Sequence, residues 1–204
     1  MENPPTVSPE VQRLETRLAL HSIYFPTAQP PVQKPDGGLL ASSSKRLLSL
    51  ASDFRKYLEI KPDAHLILEG HADPRASVEY NQALSERRVE RTRSFLIEHG
   101  VPAANIETKA FGKQQNLTDA QVRDAVEQNP ELTPEERQRI LKNMGTIILA
   151  SNRRVDVTLS TTGQQSVRQY PFNAADSLTL LKQAGAKKTT RPAAKKKAKP
   201  TAQH

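Results

Sequence analysis

The chain of 204 residues contains no cysteine. That absence excludes disulfides, thiolate metal sites, a cysteine nucleophile and a lipidated N-terminal cysteine, although it does not fix a compartment. No run of 18 apolar residues occurs, so no segment is expected to span a bilayer as a helix. The opening, MENPPTVSPEVQRLETRL, lacks the basic and apolar regions of a signal peptide. Catalytic signatures are missing too: there is no glycine-rich phosphate loop, no HExxH and no GxSxG. His21, His65, His71, His99 and His204 have no metal-ligand spacing, and no metal or cofactor is expected.

Positive charge is concentrated at the C-terminal end of the sequence. Lys182 to His204 holds eight Lys and Arg and no acid, which accounts for the whole net charge of +8. Setting those eight aside leaves 22 basic residues against 22 acidic ones. The body is neutral, and the overall basicity is no argument that the body binds nucleic acid.

The 36% hydrophobic content suffices for one core and a small appendage. Residues 1–18 read as a Pro-rich lead-in, and Leu20–Phe25 as a first strand ended by Pro26. Pro26 to Gly38, with four prolines and a glycine pair, is expected to be loop. Ser42–Ser44 are expected to cap a helix whose apolar face is Leu47, Leu50, Ala51, Phe54 and Leu58, at i, i+3, i+4, i+7 and i+11. A strand over His65–Glu69, a helix over Val78–His99 stopped by Gly100, and a strand over Ile106–Ala110 follow. Two polar helices, from Thr118 and from Thr133-Pro134, occupy an insert spanning 116–150. Arg153–Ser160 forms the last strand.

The order predicts an α+β fold, β-α-β-α-β-(helical insert)-β, a sandwich with a small mixed sheet covered by helices on one face. Its domain spans residues 19–162, with an extension over 163–183 containing a short helix at 173–181. The Lys/Ala/Pro tail over 184–204 is expected to be disordered. No internal repeat is visible.

Gly70 to Arg93 carries the chemistry. At about 100° per residue, Leu84, Ser85, Val89, Thr92, Phe95 and Leu96 define the core-facing arc of the second long helix. Asn81 and Arg88 fall within that arc, whereas Glu86, Glu90 and Arg93 point away. A buried arginine needs a partner, and Asp73 at the end of the preceding strand is the nearest obvious one. Such an acid, base and amide form either a structural ion pair or a site for a small zwitterion, and spacing alone does not choose. Arg153 shares a face with Val155, Val157 and Leu159, while Arg154 sides with Asp156; Arg153 is a core-edge residue or a ligand group. A carboxylate pair of Glu69 and Asp73 is conceivable, but no convincing catalytic set accompanies it.

The ordered set His71-x-Asp73, Tyr80-Asn81, Leu84-Ser85, Arg88, Gly112 and Asn152-Arg153-Arg154-Val155 resembles the OmpA-like peptidoglycan-binding domain over about residues 20–160. That resemblance implies a non-catalytic wall anchor in which Asp73 and Arg88 bind the diaminopimelate of the stem peptide. Asn81 and Arg153 would assist. It also implies a periplasmic place at the outer membrane or cell wall, so a chain without a signal peptide reads as a fragment or a misplaced start. Departures are Ala72 for the usual Thr, Ala76 for the usual Gly, and the longer insert. Were the turn at Ala76 to need positive φ, alanine would cost on the order of 1 kcal/mol.

The alternative reading is a cytoplasmic, polyanion- or nucleic-acid-associated protein acting through the basic tail, an arm that neutralises phosphates or lies against anionic lipid or acidic wall polymer. Without interleaved aromatics the tail has no base-stacking signal, and nucleic acid is not the expected partner.

Overall fold

The computed structural model describes residues 8–18 and 20–168. The expected helix at 173–181 and the basic tail lie outside the described residues. Helix α1 (Pro9–Arg17) leads to strand β1 (Ile23–Tyr24), α2 (Ala41–Ile60), β2 (Leu66–Gly70), α3 (Val78–Glu98) and β3 (Ile106–Ala110). Three short helices follow, α4 (Asp119–Glu127), α5 (Pro134–Leu141) and α6 (Met144–Ser151), before β4 (Arg154–Leu159). The sheet order is β1-β4-β2-β3, with β4 antiparallel to both neighbours and β2 parallel to β3. This is the mixed α+β sheet the pattern predicts.

The core lies between the sheet and the helices. Leu47, Leu50, Ala51 and Phe54 of α2 and Val89, Phe95 and Leu96 of α3 meet Leu66, Leu68, Val155, Val157 and Leu159. Strand alternation explains the side: in β2, Leu66, Leu68 and Gly70 are buried, whereas Ile67 and Glu69 are half-buried. Leu84, Ser85, Val89, Thr92, Phe95 and Leu96 are all buried, as the helical wheel requires, and Glu86 and Glu90 are exposed. Gly100 closes α3 with φ +87°, a conformation that favours glycine.

Several elements differ from expectation. The lead-in holds α1, because Ser8 accepts a hydrogen bond from Val11 N at 3.3 Å, Pro9 starts the helix, and Val11 is buried in the main core. The serines do not cap α2: its N-cap is Leu40, and Ser44 N bonds Leu40 O at 2.9 Å, which places the serines inside the first turn. The first strand shrinks to two residues because the chain before it pairs elsewhere. Ser22 N and Val167 N exchange bonds with Val167 O and Leu20 O, at 3.1 and 2.9 Å. The insert has a third helix, α6, whose Met144 and Ile147 complete a separate small core with Val122, Val126 and Leu132. Thr118 and Thr133 do cap α4 and α5, each with a complete capping box. In β3 only Ile106 is buried, since an edge strand has no second neighbour to cover its other residues.

The close seat of α3 on β2 depends on Gly70. A Cβ there would collide with Val89 Cγ2 and lie 2.6 Å from Ser85 O, and the second contact is backbone. Gly70→Ala is therefore expected to destabilise the domain by about 2–3 kcal/mol. Urea unfolding measures it; a loss below about 0.5 kcal/mol, the range of an ordinary surface change, would contradict the tight seat.

Candidate functional site

The site forms where β2 ends and α3 begins. His71 N bonds Arg154 O at 2.9 Å, and Ala72 N bonds Gly112 O at 2.7 Å, so the backbone leaving β2 is held on both sides. Ser77 caps α3 by accepting from Tyr80 N at 3.2 Å. Between these anchors the turn carries Asp73. Asn81, one turn into α3, donates its amide N–H groups to Asp73 O (3.0 Å) and Ala76 O (3.2 Å). Lys113 Nζ also reaches Ala76 O, at 2.8 Å. Ala28 is the one non-glycine residue with positive φ among the described residues. Ala76 thus needs no left-handed backbone, and the anticipated cost of replacing glycine does not arise.

Arg88 has no exposed surface. Its Nε donates to Gln29 O (3.0 Å) and its Nη1 to His71 O (2.8 Å), while its guanidinium carbon stands 5.6 Å from the centre of the Phe25 ring. Among the described residues Nη2 is buried without a hydrogen-bond partner. Burial, and then the neighbouring Arg153 charge, push its pKa down to about 9, so the group is still a cation at neutral pH. Among the described residues no carboxylate oxygen lies within 4 Å of it.

Asp73 and Arg88 therefore share the site without forming the direct ion pair that sequence spacing allowed. Arg75 holds Asp73 instead: Nε to Oδ1 is 2.9 Å and Nη2 to Oδ2 is 2.8 Å, with Arg75 N 3.3 Å from Oδ1. Arg153, 3% exposed, donates Nε to Phe25 O at 3.1 Å and brings Nη1 to 3.7 Å from Asp73 Oδ2. Burial raises the Asp73 pKa, but the hydrogen bonds and charge of Arg75, with Arg153 behind them, outweigh that and hold it below the ordinary value. All four residues chosen from the sequence converge here. Arg75 was missed, although its place two residues beyond Asp73, across Pro74, is compatible with a local side-chain bridge.

A second polar cluster backs the site on the other face of β4. Asp156 accepts Arg154 Nε at 3.0 Å on both oxygens, Ser22 Oγ at 2.6 Å and Arg168 Nε at 3.0 Å. His71, 2% exposed, stacks on Phe111 at 5.6 Å and has Nε2 3.6 Å from Asp156 Oδ2. Burial, and then the Arg154 charge, push its pKa down to about 4, so the ring is neutral.

Fold and site define a small α+β domain with buried arginines gathered around one carboxylate turn. Residues 34–130 match the model of the OmpA family. Asp73, Asn81 and Arg88 fall within the match, and Arg153 beyond it. Over 60 residues the chain is 43% identical to a peptidoglycan-associated lipoprotein of Agrobacterium fabrum, covering 29% of this chain and 34% of that protein. Over 80 residues it is 35% identical to a peptidoglycan-associated lipoprotein of Brucella melitensis, covering 39% and 46%. The matches thus span a third to a half of the relatives' length. A solved structure of the peptidoglycan-associated lipoprotein from Burkholderia pseudomallei aligns at 24% identity and a TM-score of 0.47, over 71% of this chain and 93% of that one.

His71 has a consequence for stability. Its folded pKa near 4 lies below the ordinary value of 6.5, so the fold favours the neutral ring. This contribution is complete above pH 6.5 and is lost as pH falls toward 4, amounting to about 3 kcal/mol by pH 4. His71→Phe keeps a ring against Phe111 and is expected to flatten the fall in urea stability between pH 7 and pH 4. An unchanged slope would show that other groups set the acid sensitivity.

Proposed function

We propose that this chain is a non-catalytic peptidoglycan-binding module that recognises diaminopimelate in the stem peptide. Its place would be the periplasmic side of the outer membrane or the cell wall. The observation that carries the reading is Arg88: a fully buried guanidinium with one N–H edge unpartnered among the described residues, beside a carboxylate it does not touch. A buried donor left unpaired costs about 1–3 kcal/mol, and a ligand carboxylate would satisfy it.

The distal centre of diaminopimelate carries a free ammonium and a free carboxylate. Arg88 Nη2 donates to the carboxylate, and Asp73 accepts from the ammonium. Arg153, 3.7 Å from Asp73, adds positive charge on the carboxylate side. Asn81 acts through the turn, because its amide holds the backbone of Asp73 and Ala76. Each charge-assisted bond contributes about 1.5–3 kcal/mol when partly desolvated. A stem peptide with lysine in place of diaminopimelate lacks the carboxylate, leaves Arg88 unpaired and is rejected for that reason. Weak single contacts suffice on a polymer, where many sites act together. The OmpA family match and the relatives named as peptidoglycan-associated support this reading. Binding and orientation account for every residue in it, and no step of bond cleavage is needed.

Co-sedimentation with purified peptidoglycan at about 150 mM salt tests it. Intact chain and a form ending at Leu181 are expected to prefer diaminopimelate-type over lysine-type wall. Asp73→Ala and Arg88→Ala, checked for folding by circular dichroism, are expected to lose about tenfold or more in apparent affinity. Binding that disappears with the tail and ignores both substitutions would sink the assignment.

A further inference from the structure

We infer that Arg75 is an internal stand-in for the ligand's ammonium, a latch on Asp73 that sets how strongly the site prefers a zwitterion over a simple carboxylate. The inference rests on the proposed function and concerns the same site. Three arginines and Lys113 surround the turn, and Asp73 is the carboxylate that Arg75 and Arg153 reach. Arg75 takes both carboxylate oxygens side-on, at 2.9 and 2.8 Å, the arrangement in which a guanidinium binds a carboxylate best. That is where an incoming ammonium must bind.

The three arginines differ in their freedom to move. Arg88 and Arg153 have 0% and 3% of their surface exposed and are tied to backbone carbonyls of Gln29, His71 and Phe25. The Arg75 side chain is 43% exposed, and among the described residues its side-chain hydrogen bonds go to Asp73 alone. It can swing into water without uncovering the core. Asp73 is 11% exposed at its side chain and is fixed by its turn, so the moving partner is Arg75. A partly exposed ion pair is worth a factor of about two to five in an equilibrium, enough to tune binding and too little to block it.

The consequence depends on the ligand's charge. A ligand with a free ammonium must displace Arg75 to reach Asp73. A ligand that offers only a carboxylate needs Arg88 and not Asp73, so it does not have to break the Arg75–Asp73 pair. Arg75 therefore weakens the first class and leaves the second untouched, apart from its general attraction for anions. Removing it sharpens the preference for the zwitterion.

The test is calorimetric titration of the intact chain, Arg75→Ala, Arg75→Gln and Arg88→Ala. The probes are a soluble stem peptide bearing diaminopimelate and the same peptide with its free amine acetylated. Expected is two- to fivefold tighter binding of the free-amine peptide by both Arg75 variants, with the acetylated peptide bound no tighter than before. In parallel, the Asp73 carboxyl, followed by NMR, is expected to titrate at higher pH in both variants. Equal affinities in all Arg75 forms would overturn the latch, and weaker binding of both peptides would make Arg75 a direct ligand contact instead. If no form binds either peptide, or Arg88→Ala binds as well as the intact chain, the proposed function fails and the latch with it.

Discussion

An arginine with no exposed surface sets the terms for the rest of this domain. Taking a guanidinium out of water costs several kcal/mol unless its donors are met. Arg88 meets that demand with two backbone carbonyls and an aromatic face, and without a touching carboxylate. Both carbonyls come from segments distant in sequence. Gln29 belongs to the proline-rich loop before α2, and His71 to the residue that leaves β2. Seating the guanidinium between them requires α3 to lie almost on the sheet, which the missing side chain at Gly70 permits. Loop, strand end and helix are thus held together by one cation that keeps an N–H edge unused among the described residues.

Strand β4 separates two kinds of polar burial. Asp73 and Arg153 meet at the mouth of the site, where Asp73 and Arg75 retain some access to water. Behind it, Asp156 gathers Arg154, Arg168 and Ser22 into a saturated network next to the neutral ring of His71. Fully partnered networks of this kind fix a single arrangement of the chain. Here they tie residues near 22, 154 and 168 to one carboxylate, while the His71 backbone bonds Arg154 on one side and Arg88 on the other. The quiet cluster supports the incomplete one.

Much of this was legible in the residues. Helix α3 and its buried face follow from 3.6-residue periodicity, because every apolar position on one arc had to find the core. The capping boxes at Thr118 and Thr133 are local chemistry and formed as written. Asp73, Asn81, Arg88 and Arg153 could be chosen because polar groups within apolar stripes need partners. Other features escaped. Helix α1 hides in a proline-rich stretch whose composition suggests a linker, and its burial depends on a surface offered by α2. Helix α6 reads as part of a polar insert until Met144 and Ile147 find Val122 and Val126. The serines before α2 carry cap chemistry, but the helix begins one turn sooner.

By itself the sequence determined the order of the four strands and of helices α2 to α5, the buried face of α3 and the set of polar residues at its start. Those are consequences of periodicity and solvation, which act within a few residues of chain. It did not determine which cation holds Asp73, since Arg75, Arg88 and Arg153 carry the same charge and only distance ranks them. Tertiary structure decided that. Packing spends Arg88 on two carbonyls and Arg153 on a third, leaving Arg75 as the neighbour both near enough and free enough to close on the carboxylate.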